Sequence, residues 1–383
     1  MSAQPQPRVI AFVVTTAETP LFSSTLDAVS QQTWPVDALV VVDASSDGRL
    51  DATQLPQHVT LARTRDARNF GAALQQAIAI PVINNMLTSA RWVWLLHDDS
   101  IPAADCLKHQ IAAMQDGRTI AAVGPKHVSP DGQYVYEVGI SATRSARRIE
   151  TSLPGEIDQG QYDGASDVLA VGSAGLLVDR RIWEELGGFD SALGPYGDGL
   201  EFGRRLRRAG HRVVVEPHAK IHHHRLSLSE NPGSFTQRRQ AQIYNWLLAA
   251  PWWQIPFLFL WLSIWSPVRA LGRLILRQSD YALSEITSWL GLIAHTPHLL
   301  ARRIANHRAS TIPASALRPL EATTRDIRER RLMLRKGQEN TGKDSVDASL
   351  HNSLHSFRTA SLSSVAGVGI LSLIVTVIAG WGL

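Results

Sequence analysis

Three acidic clusters and one run of histidines are the residues of this chain whose types and spacing could do chemistry. Asp43 follows the apolar stretch Ala38–Val42, with Asp47 just beyond it, and Asp98 and Asp99 follow Trp92–Leu96. Asp198 and Glu201 stand before the arginine-rich stretch Arg204–Gly210, and His222, His223 and His224 end an apolar segment. A carboxylate at the carboxyl end of a buried parallel strand sits where open α/β sheets bind nucleotides, because the ligand crevice lies outside that edge. A nucleotide-like ligand is therefore expected there.

The elements that must position these groups are legible as a pattern. Apolar runs at Val9–Thr15, Val40–Val42 and Trp92–Leu96 read as strands, with helical stretches between them at Ser23–Gln31 and Asn69–Ile80. Continuous apolar runs alternating with helices predict a parallel sheet covered on both faces. The glycine-rich dinucleotide fingerprint is absent after the first strand, where Thr15-Thr16-Ala17-Glu18-Thr19-Pro20 stands, so a nicotinamide-dependent enzyme is not expected. A short strand at Arg212–Val215 precedes the histidines. Strand alternation puts His222 and His224 on one face and His223 on the other.

Six motifs follow one another in order. Val42-Asp43-Ala44-Ser45-Ser46-Asp47-Gly48 closes the second strand, Ala67-Arg68-Asn69-Phe70-Gly71 opens a helix, and Leu96-His97-Asp98-Asp99-Ser100-Ile101-Pro102 ends the third apolar run. Gly187-Gly188-Phe189-Asp190, the stretch Tyr196–Gly210 and Pro217–His224 complete the set. Over residues 8–226 the chain resembles the family 2 inverting glycosyltransferases of the GT-A fold, an α/β fold with a central, mostly parallel sheet. That resemblance implies a nucleotide-sugar donor, a divalent cation and direct displacement at the anomeric carbon.

A nucleoside diphosphate leaving group concentrates negative charge, so a cation is expected beside it, and hard oxygen ligands suit Mg²⁺ or Mn²⁺. Aligned on Ser100-Ile101-Pro102, the last position of the family's D-x-D motif is Asp99, its middle position is Asp98, and its first is His97, a departure from the pattern. The resemblance makes Asp99 and His223 the metal ligands, and places Asp43, Asp47, Arg68, Asn69 and Asp98 on the donor. Each has a plainer reading. The aspartate pair could cap a helix near Pro102, Asp43 and Asp47 could belong to a polar turn, Arg68 could be a solvated surface arginine, and Asn69 could cap the helix it precedes. The general base is expected from Asp198 if the loop shifts by one residue against the family's Glu-Asp, or else from Glu201. One of the two could serve only to offset a helix dipole. Gly172-Ser173-Ala174-Gly175 resembles the segment lining the acceptor side.

Composition argues for an enzyme joined to a membrane module. The chain has 383 residues, 44% of them hydrophobic, a formal charge of +4 and one cysteine, Cys106, which fits a reducing compartment and gives no thiolate cluster for zinc. Residues 1–7 form an N-terminal extension expected to be disordered, with neither the basic region nor the apolar core of a signal peptide. The catalytic domain, 8–226, is expected in the cytoplasm. Residues 227–268 are Trp-rich, and Tyr244–Val268 holds no charged residue. The span 269–360 is basic, with fifteen Lys and Arg against eight Asp and Glu between Arg269 and Thr359. By the positive-inside rule that stretch is cytoplasmic, so the Trp-rich segment is read as interfacial or re-entrant, with a single spanning helix as the alternative. Residues 361–383 are uncharged and read as a transmembrane helix. Glu321–Lys336 has a charged helical pattern, and Gly337–Ser353 reads as a polar linker. The function expected is transfer of a sugar to a lipid-linked or cell-envelope glycan acceptor, without a nucleic-acid partner. A non-catalytic membrane-anchored scaffold is the alternative. A processive synthase is not expected, because Gln237-Arg238-Arg239-Gln240 lacks the tryptophan of its Gln-x-x-Arg-Trp signature.

Overall fold

The computed structural model describes residues 8–344 apart from 17–18, 46–47, 49, 66, 68, 165 and 226–231. Asp47, Arg68 and the segment 361–383, which the sequence assigns to the donor site and to a membrane span, lie outside the described residues. Residues 1–324 form one compact unit and 325–383 a second.

The first unit is built on a mixed sheet. Its first half alternates strand and helix: β1 (Val9–Thr15), α1 (Phe22–Ser30), β2 (Ala38–Asp43), β3 (Val59–Arg63), α2 (Phe70–Ile78), α3 (Pro81–Ser89) and β4 (Trp92–His97). Strands β3, β2, β1 and β4 lie side by side and parallel. Residues along β1 alternate between two cores. Ile10, Phe12 and Val14 pack with Leu74 and Ile83 of α2 and α3, while Val9, Ala11 and Val13 pack with Leu26 of α1. A strand covered on both faces must be apolar at every position, which is why these runs do not alternate in sequence. The helix expected over Asn69–Ile80 ends at Ile78, and a second begins at Pro81, because proline has no amide hydrogen to continue the ladder but fits a first helical turn.

The second half returns through β5 (Ser100–Pro102), α4 (Cys106–Asp116), β6 (Ile120–Val128), β7 (Val135–Val138), β8 (Ser141–Ala142), β9 (Arg148–Ile149), β10 (Ser166–Asp167), β11 (Leu176–Asp179), α5 (Arg180–Leu186), α6 (Asp198–Arg208) and β12 (Arg212–His223). Antiparallel β11 is wedged between β4 and β6, and β12 runs parallel to β6. The strand expected at Arg212–Val215 thus continues to His223, with a register shift between Glu216 and Lys220. Its far end pairs with β5, which sets His223 opposite Ser100. That single pairing brings the histidine run to the Asp98-Asp99 turn.

Four α-helices follow in the same unit, α7 (Pro232–Ala249), α8 (Ile255–Ile275), α9 (Ser279–Ala294) and α10 (Thr296–Ala309), and then a short 3₁₀ helix at Ala314–Leu320. The Trp-rich stretch is not one element. Ile243, Tyr244 and Leu247 at the end of α7 are buried in a core shared with Leu262, Trp289 and Leu299, and Pro251 separates them from α8. Trp253, Phe257, Leu260, Ile264, Leu271 and Ile275 are exposed. Trp252–Ile275 is long and apolar enough to cross a membrane by length and composition. In the second unit α11 (Thr324–Asp344) bears out the charged helical pattern and continues into the stretch read as a linker.

Candidate active site

The carboxyl ends of β1, β2 and β4 form one rim, with Thr15 beside Asp43 and Val14 beside His97. Asp43 is buried, and its own loop uses its carboxylate: Oδ1 accepts from the Ser45 amide at 2.9 Å and the Ser45 hydroxyl at 2.5 Å, and Oδ2 from the Leu50 amide at 3.3 Å. Asp43 thus closes its own loop. Asn69 caps α2 through the Ala72 amide at 2.8 Å, and its side-chain NH₂ donates to the Ser191 carbonyl at 2.8 Å. That bond ties the helix start to the Gly187–Asp190 loop.

Asp98 and Asp99 turn in different directions. Asp98 accepts from the Thr15 hydroxyl at 2.6 Å, and its carbonyl accepts from Thr25 at 3.0 Å. Burial, with Asp99 adjacent, raises its carboxyl above the ordinary range despite those hydrogen bonds. Asp99 is 3% exposed and lies 3.4 Å from Nε2 of His223, the metal pair expected from the sequence. Two ligands each about 2.1 Å from one ion and at right angles to each other stand about 3 Å apart, so carboxylate and imidazole fit a common divalent cation. Among the described residues no third His, Cys, Asp or Glu joins them. A bound ion would draw its remaining ligands from substrate oxygens and water.

His97 takes the place of the motif's first aspartate. Its ring stacks on Phe70 at 4.4 Å and its Nε2 lies 2.9 Å from the Ser173 hydroxyl. Burial lowers its pKa to about 4, so the ring is neutral at physiological pH. His127 of β6 is likewise lowered to about 4 by burial, donates from Nε2 to the Ala174 carbonyl at 2.7 Å, and meets the His223 ring edge-on. No sequence pattern singled His127 out, because a histidine inside a strand looks the same whether it faces a site or the core.

Ser173 also hydrogen-bonds Asp198, the first residue of α6. Asp198 is 9% exposed, and burial pushes its carboxyl up to about 6, against hydrogen bonds from the Gly199 amide at 2.7 Å and from Ser173. The neighbours explain why it stands alone. A Cβ at Gly199 would lie 2.3 Å from the Val171 carbonyl, so no acidic residue fits there. Gly197 has a φ of +84°, and a Cβ on it would meet Ala241 and Asn245 at 2.9 Å. The glycines on either side let the helix start press against Val171 and α7, leaving Asp198 as the one carboxylate of this short stretch.

Glu201, the alternative base, is placed elsewhere. Its carboxylate is bidentate with Arg205, at 3.0 and 2.5 Å, and accepts from Asn306 at 3.3 Å. Arg205 in turn donates to the Leu186 and Gly188 carbonyls. Three residues past Asp198 on a helix is close to one full turn, yet Glu201 is buried in this strut and does not line the cavity.

That cavity has a volume of about 660 Å³. His97, His127 and His223 line one end, Gly172–Ala174 and Asp198 its middle, and Phe235, Arg238, Arg239 and Gln242 of α7 the other. Arg147, Arg148 and Arg225 add to its basic lining. Glu137 opposes them; burial works against its charge, but Arg148, His127 and Arg225 hold its carboxyl below the ordinary range. Arg225 lies over the Tyr136 ring and Arg238 over that of Tyr196. The cavity wall from α7 was missed in the sequence, where Gln237–Gln240 registered only as an incomplete motif.

The model of the family described as "Glycosyltransferase like family 2" matches residues 6–245. The galactofuranosyltransferase GlfT1 of Mycolicibacterium smegmatis is 26% identical over 202 residues, which cover 53% of this chain and 66% of that protein, just under two thirds of its length. An N-acetylglucosaminyl-diphospho-decaprenol L-rhamnosyltransferase of Mycobacterium tuberculosis is 26% identical over 253 residues, covering 58% of this chain and 78% of the relative. Among solved structures, the mannosyltransferase PcManGT of Pyrobaculum calidifontis, in complex with GDP-Man and Mn²⁺, has a TM-score of 0.43 at 21% identity and covers 81% of this chain and 78% of its own.

Proposed function

The chain belongs to glycosyltransferase family 2, and we propose that it is a metal-dependent, inverting enzyme. It moves a sugar from a nucleotide-sugar donor to a lipid-linked or cell-envelope glycan acceptor at the cytoplasmic face of a membrane. The observation that carries this reading is Asp198: a buried carboxylate in the wall of the cavity, with its proton affinity raised to about 6 and joined through Ser173 to His97 at the metal end. A general base works best when its pKa lies near the operating pH. In the reaction Asp198 takes the proton of the acceptor hydroxyl as that oxygen attacks the anomeric carbon. The bond from this carbon to the diphosphate breaks on the opposite face, and its electrons leave on the nucleoside diphosphate.

Asp99 and His223 would hold the cation, Mn²⁺ or Mg²⁺, which would neutralise charge on the departing diphosphate. Asp98 and Asp43 serve the donor side by fixing the rim, the first through Thr15 and the second through its own loop. Asn69 caps the helix that starts beside that rim. Asp47 and Arg68 keep the donor roles that the resemblance implies. The name of the tuberculosis relative specifies a diphospho-decaprenol, which supports a lipid-linked acceptor here. The exposed apolar face of α8 supports attachment along the membrane surface. The test is turnover of a panel of UDP-, GDP- and dTDP-sugars by the purified chain with Mn²⁺. Turnover that is lost in Asp198→Asn supports the reading, and an inert wild-type chain across the panel sinks it.

A further inference from the structure

Behind the α7 wall of the cavity three arginines converge on one glutamate. Glu285 of α9 is 1% exposed, and its carboxylate lies 3.5 Å from Nε of Arg239, 3.7 Å from Nε of Arg269 and 3.3 Å from Nε of Arg273. Among the described residues one carboxylate faces these three guanidinium groups, which leaves an excess of two positive charges. The contacts run through Nε; at Arg239 that buried atom faces Glu285 without hydrogen-bond geometry, while Nη1 of the same guanidinium donates to the Gln242 side chain at 2.9 Å. Burial and the two neighbouring arginines lower the pKa of Arg239 to about 10, a further mark of crowded charge. Arg273 also lies over the ring of Phe235, 4.6 Å from its centre. Phe235 and Arg239 line the cavity, so the cluster is continuous with it.

Burying unbalanced charge costs several kcal/mol per ion, and an anion that brings acceptor oxygens removes that cost. Guanidinium groups pair with phosphate in bidentate fashion. The position on α8 narrows the choice of anion. At 100° per residue, Phe257, Ile264, Val268, Leu271 and Ile275 form one exposed stripe, and Arg269 and Arg273 fall on nearly the opposite side of the helix. If the stripe rests on the hydrocarbon boundary, the arginines stand about one helix diameter, roughly 10 Å, above it. That is the level of lipid headgroups.

We propose that Arg239, Arg269 and Arg273, arranged around Glu285, bind the diphosphate of a polyprenyl-diphosphate-linked acceptor, whose sugar then reaches into the cavity toward Asp198. The inference rests on the glycosyltransferase reading for its acceptor, and the experiment separates the two. Binding of farnesyl diphosphate to the full chain is measured beside farnesol, which has the same tail without phosphate, and beside UDP and GDP with Mn²⁺. Wild-type protein is expected to bind farnesyl diphosphate at least tenfold more tightly than farnesol. Arg269→Gln/Arg273→Gln is expected to lose at least tenfold of that affinity while nucleoside diphosphate affinity does not move. Because Arg269 is half exposed, Arg269→Gln alone supplies a variant that folds, with a loss of at least threefold expected.

Equal affinity of wild-type protein for the diphosphate and the alcohol, or full retention in both variants, overturns the proposal. So does a loss of nucleoside diphosphate affinity in place of farnesyl diphosphate affinity, which would move the cluster to the donor. Phosphatidylglycerol vesicles that displace farnesyl diphosphate at equal phosphate concentration also overturn it, since the site would then read any anionic headgroup. Failure of the glycosyltransferase reading shows differently: wild-type protein would turn over no nucleotide sugar, whatever the farnesyl arm gives.

Discussion

The carboxylates at the carboxyl ends of β2 and β4 and the one at the start of α6 differ in the partners they find and in whether they reach the cavity. On the rim made by β1, β2 and β4, Asp43 is held by Ser45 and Leu50 and Asp98 by Thr15, and burial still raises the Asp98 carboxyl above the ordinary range. On the rim made by the β11 approach and α6, Asp198 has a backbone amide and one serine, and its proton affinity rises to about 6. Burial thus raises Asp98 and Asp198 alike, and what separates them is place, since Asp198 lines the cavity and Asp98 does not. Glu201 sharpens the point, since it is as buried as Asp198 but fully matched by Arg205.

The largest expected effect comes from breaking the difference between those two acids. Asp198→Asn is expected to cut turnover by about 10³-fold while donor affinity changes little, because a proton acceptor acts in the transition state. The same substitution is expected to raise the melting temperature at pH 8. A carboxyl whose folded-state pKa is raised favours folding when protonated, and that contribution is lost as pH rises through about 6. The gain should vanish below pH 4. Glu201→Gln is expected to do the reverse, costing about 3 kcal/mol in denaturant unfolding by stranding Arg205, with turnover per folded molecule retained. If Glu201→Gln loses turnover and Asp198→Asn keeps it, the two roles are exchanged.

Next in size is the proposed metal pair. Asp99→Ala is expected to abolish Mn²⁺-dependent thermal stabilisation by a nucleoside diphosphate and to reduce turnover at least a hundredfold. Stabilisation equal to wild type would remove Asp99 from the metal site. The smallest effect probes the packing that isolates Asp198. Gly199→Ala places a Cβ against the Val171 carbonyl and is expected to cost about 1–3 kcal/mol, read from the denaturant midpoint. A variant as stable as wild type would mean that the helix start has room to shift, and that the absence of an acid at 199 has another cause.

The parallel strands were legible because each is buried on both faces and thus apolar throughout, and Val9–Thr15 was bounded to the residue. The Asp99 and His223 pairing could be expected from the motif order, yet its cause, the antiparallel pairing of β5 with the far end of β12, leaves no local mark in the sequence. The sequence put Asp198 before Glu201 by alignment alone, since Arg205, which pairs with Glu201, lies one helical turn ahead and the carbonyl that forbids a side chain at 199 lies on another segment. The arginine wall was illegible for the same reason: Arg239, Arg269, Arg273 and Glu285 come from three helices, and only their packing turns scattered charges into a cluster.

Asp198 as the general base is tested most directly by the pH dependence of transfer in single turnover, with saturating nucleotide sugar and Mn²⁺. Wild-type protein is expected to lose activity toward acid with an apparent pKa of about 6, because the carboxylate is active only when ionised. In Asp198→Asn the residual rate is expected to show no such limb. A wild-type rate that stays flat through pH 6, or an unchanged limb in Asp198→Asn, would contradict the assignment.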